Sequence, residues 1–280
     1  MFYESYPVPD TIKEKYSKIY NIIKKDFTEI FDFLMPMIQN KKIDSYIDCL
    51  SQTKAQDFAF ISTYSDLENM KQITHIDIGP GLGSHAMWSV RGFNASYIGI
   101  DALPYSYAVQ RIFLRTAALF YKLRYIDVIQ AETLKVDKNI IIDCLNKRDG
   151  NIKQVPSWLF DYVEDDSIDL VTATWVLNEV NTPGILWLLS HCNRVLKPGG
   201  YLYIRDSNVL KPLRHKIKYD ELLIDYGYKK IHQLEVVNRV DFYGIPRIYK
   251  KVGKRNDMGF EQLLNKYVGH FGKTILKGEI

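Results

Sequence analysis

The chain has 280 residues, 46% hydrophobic and 25% charged, an ordinary globular composition with enough apolar side chains for one large domain. Its net charge of +4 does not by itself argue for nucleic acid. No apolar run reaches the roughly 20 residues of a membrane span, and the opening MFYESYPVPD lacks the basic-then-apolar order of a signal peptide. Three cysteines, Cys49, Cys144 and Cys192, stand far apart with no Cys-x-x-Cys pair. They argue against a disulfide framework or zinc site and fit a reducing cytoplasm.

The first 72 residues read as helical. From Asp10 the apolar residues Ile12, Tyr16, Ile19, Ile23, Phe27, Ile30 and Leu34 recur every three or four positions, a stripe that ends near Pro36. A weaker helical pattern covers about 42–70. The expectation is an N-terminal helical cap over 1–72, packed on the main domain and able to serve as a lid. Past residue 72 the pattern becomes strand, turn, helix. ITHIDIG (73–79) and SYIGID (96–101) are short apolar strands, and Pro104 opens a long helix. Residues 152–155 read as the third strand, with 126–150 as an insertion before it. SIDLVTATWVL (167–177) is a buried strand, Thr182-Pro183 starts the next helix, KPGG (197–200) is a turn and YLYIRD (201–206) a strand. Alternation of this kind predicts a doubly wound, mostly parallel α/β sheet. The last strands, after Gly227 and over 245–252, leave no room for a crossover helix and predict an antiparallel edge pair. A helical tail is expected over 253–280.

In HIDIGPGLGSHA (75–86) an acid, Asp77, precedes Gly79, Gly81 and Gly83 directly after a strand. Glycines there let backbone approach a ligand closely, and the following helix offers free N–H groups. Asp101 ends the next strand, where a carboxylate can accept both ribose hydroxyls of a nucleoside. The spacing is not the G-x-G-x-x-G of a dinucleotide fold, because Ser84 follows Gly83, and no phosphate-loop Gly-Lys-Ser/Thr is present.

An acid two residues before Gly-x-Gly-x-Gly resembles the first motif of class I S-adenosylmethionine-dependent methyltransferases. IGID resembles their ribose-binding motif, DSIDLVTATWVLNEV their fourth-strand motif, and NRVLKPGGYLYI their helix–turn–fifth-strand signature, all in family order over 73–252. The resemblance implies a seven-stranded sheet whose last strand is antiparallel, and S-adenosylmethionine as cofactor. It implies that Asp77 orients the glycine loop, that Gly79, Gly81 and Gly83 lie against methionine and ribose, and that Asp101 takes the ribose hydroxyls. Ala102 and Leu103 would touch the adenine edge, and Thr174 and Trp175 would line the sulfonium side. The acid common after the third strand is replaced here by Ser157 and Trp158, which become the candidates for the adenine pocket.

The segment after the fourth strand narrows the acceptor chemistry. TWVLNEV is not the Asn/Asp-Pro-Pro-Tyr/Phe of enzymes that methylate amino groups of adenine or glutamine. It also lacks the first acid of metal-dependent catechol-type enzymes, so no catalytic metal is expected. Cys192 falls inside a helix and reads as packed. A hydroxyl acceptor benefits from a base; Glu179, just past the fourth strand, is the first candidate and Asp206, after the fifth, the reserve, with His215 and His232 weaker. Asn178, Arg205, Tyr105 and Tyr243 are candidate acceptor-binding residues, with Tyr107 beside them. The basic stretches 211–218 and 247–255 read most simply as solvated faces. The expected function is oxygen methylation of a small or glycan-linked acceptor, sugar or phosphoryl-type. It resembles bacterial enzymes of capsule or lipopolysaccharide synthesis. The alternatives are an RNA methyltransferase and a catalytically silent binding subunit.

Overall fold

A computed structural model describes residues 9–34, 43–128, 138–147, 149, 151–206, 219–234, 244–253 and 260–267. Tyr243, His215 and the basic stretch 211–218 lie outside the described residues, as does most of the tail after 253.

The N-terminal stripe folds as α1 (Asp10–Leu34), and the weaker pattern as α2 (Ile43–Tyr64) with a single 3-10 turn at Leu67–Asn69. The stripe is buried as the periodicity requires, from Ile12 to Leu34. In contrast, α2 is buried almost continuously from Lys54 to Ser62, polar residues included. A helix buried all round lies inside a layer rather than on it. The remaining order is β1 (Ile73–Ile78), α3 (His85–Phe93), β2 (Ala95–Asp101), α4 (Pro104–Phe120), β3 (Tyr125–Asp127), α5 (Lys138–Asn146), β4 (Ile152–Pro156), β5 (Ile168–Thr174), α6 (Thr182–Val195), β6 (Leu196–Asp206), α7 (Tyr219–Asp225), β7 (Tyr228–Gln233), β8 (Ile245–Lys251) and α8 (Phe260–Tyr267).

Among the described residues the sheet has eight strands, in the order β3-β4-β2-β1-β5-β6-β8-β7. β1 pairs in parallel with β2 and β5, and β8 runs antiparallel to both β6 and β7. The antiparallel last strand matches the expectation, but the count of seven does not. The extra strand is β3, three residues that begin just before the expected insertion and pair with β4 through Tyr125–Ile152, Ile126–Lys153 and Asp127–Gln154. It was invisible to periodicity because all three of its residues are only half-buried.

Alternation along the strands divides the interior in two. One face carries Tyr97, Tyr201 and Tyr203 against α1–α4; the other carries Ile98, Leu202 and Ile204 against α6, α7 and α8. Phe27 and Phe31 of α1 each meet Phe113 of α4 at 5.9 Å between ring centres. Arg91 of α3 and the Tyr121 hydroxyl converge on the buried Asp26 of α1. Both N-terminal helices therefore share one core with the sheet. Part of the second basic stretch is also inside. Lys251, read as solvated, is fully buried, with its ammonium donating to Asp166 Oδ1 (2.9 Å), Asn193 O (2.7 Å) and Leu196 O (2.6 Å). A buried charge is tolerable where its three hydrogens all have acceptors. No described helix is long and apolar enough to cross a membrane.

Candidate functional site

β1 lies where the strand order reverses, with β2 on one side and β5 on the other. In open α/β sheets a ligand binds outside the carboxyl ends of the strands at this point. The ends that meet there carry Asp77-Ile78-Gly79, Asp101, Thr174-Trp175 and Asp206.

The glycine loop is a tight turn. Gly79 N–H donates to Ile100 O (2.9 Å), tying the loop to β2, and Gly83 N–H to Pro80 O (2.8 Å). Gly79 has φ +58°, and a Cβ there would overlap the Val176 side chain, so the loop touches the segment after β5. Gly81 has φ +60° with open space where a Cβ would stand, a backbone surface clear for a ligand. Asp101 is buried at the end of β2. Leu103 N–H donates to its Oδ1 (2.9 Å) and Gln110 Nε2 to its Oδ2 (2.5 Å). A carboxylate has about four acceptor positions, so this one is held in place with capacity left for two hydroxyls. The open face at Gly81 and the oriented Asp101 fit an adenosyl cofactor.

Asp77 is more deeply placed than its expected role suggests. It has no exposed surface; its Oδ2 accepts from Tyr97 Oη (2.9 Å) and His85 Nδ1 (3.0 Å), and its Oδ1 from Thr172 Oγ1 (2.7 Å). Burial works to raise its pKa, but the neighbouring His85 outweighs it and the carboxylate is held below the usual range. Since the Thr172 hydrogen is spent on Asp77, Thr172 accepts from His75 Nε2 (2.8 Å), and His75 Nδ1 accepts from Ser89 Oγ (2.8 Å). Burial drives the His75 pKa down to about 3, consistent with that neutral ring.

Behind His85 stands Asp57 of α2, fully enclosed. It accepts from His85 Nε2 (3.0 Å), Tyr203 Oη (2.6 Å), Arg205 Nε (2.6 Å) and Arg205 Nη2 (3.0 Å). Burial alone would raise its pKa; Arg205 and His85 overcome that and hold it well below the carboxylate range. Lys54, one turn earlier on α2, places Nζ 3.4 Å from His85 Nε2, and burial lowers its pKa. Lys54, Asp57, His85, Tyr97, Thr172, Tyr203 and Gln110 were missed by sequence reasoning. The available signal was three polar residues, Lys54, Gln56 and Asp57, leading directly into the apolar run FAFI.

On the opposite face, Asp206 is fully buried. Leu177 N–H donates to its Oδ2 (3.1 Å), and its Oδ1 has no partner among the described residues. Burial raises its pKa to about 7, against the lowering pull of the Leu177 and Asn178 amides and of Arg205 and Arg247. Asn178 Oδ1 is likewise buried without a partner among the described residues. Trp175 has φ +62°, strained for a bulky residue, and donates its N–H to Arg205 O (2.9 Å). Such strain gathers at functional sites. Glu179, by contrast, is exposed on the turn after Val176.

The structure thus brings Asp77, Gly79, Gly81, Asp101, Thr174, Trp175, Asn178 and Asp206 to one end of the sheet. Arg205 lies beneath α2, bonded to Asp57. Leu103 and Tyr105 are 61% and 83% exposed at the start of α4, with Ala102 exposed beside them, and Tyr107 donates to Asp127 Oδ1 (2.7 Å). Ser157 is half-buried, while Trp158 is exposed and lines a cavity of about 480 Å³ with Asp161, Tyr162 and Arg194. His232 stacks on Tyr64 at 4.1 Å. Cys192 is buried, and burial pushes its thiol up to about 12. Among the described residues, no three His, Cys, Asp or Glu side chains group to hold a metal.

Residues 76–204 match a family described as a methyltransferase domain. No curated protein matches the chain significantly. Among solved structures, the chain is similar to a Galdieria sulphuraria protein provisionally assigned as a sarcosine dimethylglycine methyltransferase (TM-score 0.48, 19% identity, 70% of this chain and 68% of that one). It is similar to a TehB-like S-adenosylmethionine-dependent methyltransferase from Corynebacterium glutamicum (TM-score 0.45, 12% identity, 81% and 97%). It is also similar to an arsenic(III) S-adenosylmethionine methyltransferase from Chlamydomonas reinhardtii (TM-score 0.40, 17% identity, 70% and 67%).

Proposed function

We propose that this chain is an S-adenosylmethionine-dependent methyltransferase that methylates an oxygen of a small or glycan-linked acceptor, with Asp206 taking the proton. The single observation that carries this reading is the Asp206 carboxyl, buried, half-satisfied and tuned to about 7. A base poised near neutral pH suits a hydroxyl, whose proton must leave as the methyl arrives.

When bound, the cofactor supplies an activated methyl on sulfonium, so alignment carries much of the rate. Gly79 and Gly81 present backbone to it, and Asp101, oriented by Gln110 and Leu103, takes the ribose hydroxyls. Thr174 and Trp175 line the methyl side at the end of β5. Asp206 Oδ1 accepts the acceptor's hydrogen while Leu177 N–H steadies its other oxygen. Asn178 Oδ1 can take a second donor from the same acceptor. Glu179 is the reserve base, on the turn that faces the same strand end. Resemblance alone supports the finer assignment to surface-polysaccharide sugars, phosphoryl-type groups included.

The test is transfer of labelled methyl to nucleotide sugars, glycan fragments and total RNA, with wild type, Asp206→Asn and Glu179→Gln. Transfer to a hydroxyl compound that falls ~10²–10⁴-fold in Asp206→Asn, with Glu179→Gln near normal, supports the reading. Incorporation into RNA, or loss confined to Glu179→Gln, refutes it.

A further inference from the structure

We propose that Asp57, from a helix outside the matched methyltransferase domain, is a positioning residue of the cofactor site that locks the glycine loop through His85. Asp77 precedes Gly79 and His85 follows Gly83, and their side chains meet at 3.0 Å. The two ends of the loop are therefore joined by a side-chain clasp. His85 makes the clasp from the first turn of α3, and on its own the ring could turn about its side-chain bonds. Asp57 removes that freedom. It holds the other ring nitrogen at 3.0 Å and is itself anchored to the sheet by three donors on β6, from Tyr203 and Arg205. Each ring nitrogen thus faces a carboxylate oxygen at 3.0 Å, and the ring is fixed at both edges.

Arg205, whose guanidinium centre lies 6.0 Å from the Trp175 ring, extends the same connection to the methyl side of the site. Asp57, His85 and Arg205 are all buried. If α2 lifted away, the buried Asp57–Arg205 ion pair would part and the clasp would lose its anchor. Breaking a buried ion pair is strongly disfavoured. α2 is accordingly a fixed wall of the cofactor site, and it does not serve as a moving lid.

The test measures binding of S-adenosylhomocysteine by calorimetry at a temperature well below each variant's thermal midpoint. That separates loop positioning from stability, and it needs no acceptor. His85→Asn retains a donor toward Asp77 and cuts the link to Asp57. Asp57→Leu/Arg205→Met removes the buried charges together, so that neither is left alone. Both are expected to raise Kd about tenfold or more. Unchanged Kd in a folded variant, even with a lowered Tm, would make the cluster purely structural and overturn the proposal. A wild type that binds no S-adenosylhomocysteine also overturns it, by removing the site. Should neither variant fold, hydrogen exchange on the wild type decides. Without cofactor, the Gly79 and Gly83 amides should exchange as slowly as those of β1; rapid exchange there contradicts a locked loop.

Discussion

Asp206→Asn separates the cost of burying this carboxylate from its use in catalysis. The ordinary carboxyl value of 3.8 rises to about 7 in the folded protein. Between those two values the native state holds a proton that the unfolded state has released. Stability from this group is therefore fully present below about pH 4 and is lost as pH rises through 7. A shift of that size corresponds to ~4 kcal/mol between the two limits, as an upper figure for a group with no exposed surface. Asparagine keeps the acceptor for Leu177 N–H and carries no charge at any pH. Urea unfolding of wild type and variant at pH 4 and pH 8 should show the variant gaining up to ~4 kcal/mol relative to wild type at the higher pH. Every other titrating group is common to both proteins and cancels in the difference. Methyl transfer should move the other way, with the variant losing the acidic limb that wild type shows near pH 7. A stability difference that is the same at both pH values would refute the raised carboxyl.

Asp101→Ala removes the acceptor for two hydroxyls and deprives Gln110 Nε2 of its partner, so calorimetry with S-adenosylhomocysteine should show a loss of roughly 1.5–3 kcal/mol per bond at most; unchanged affinity would count against the ribose role. Gly79→Ala, at φ +58° and against Val176, should destabilise by about 1–3 kcal/mol and weaken cofactor binding, whereas a silent phenotype in both would show the loop to be slack. Native Cys192, buried and pushed up to about 12, should resist alkylation until the protein is unfolded; rapid modification under native conditions would mean the α6 face opens.

Much of the architecture was legible in the sequence because it depends on short-range rules. Short, continuous apolar runs marked β1, β2 and β5, as expected for strands buried on both faces, and the three-and-four spacing marked α1. Gly79, Gly81 and Gly83 with Asp77 and Asp101 marked a turn at the strand ends with the positive φ that glycine allows. The sequence ranks Glu179 ahead of Asp206 as the base, and that ranking rests on nearness along the chain alone. Glu179 and Asp206 each stand at or just beyond the end of a strand, and only packing decides that one is exposed and the other enclosed. The edge strand β3 was hidden for a related reason: its stability comes from pairing with β4, not from its own pattern. The cluster around Asp57 was the least visible, because its partners lie on elements far apart in the chain. A charge in the middle of an apolar helix is unfavourable until Arg205, Tyr203 and His85 arrive to satisfy it. Local sequence determines which segments become strands, helices and glycine turns. Tertiary structure alone decides which buried charges meet, because that depends on long-range contacts and the desolvation they impose.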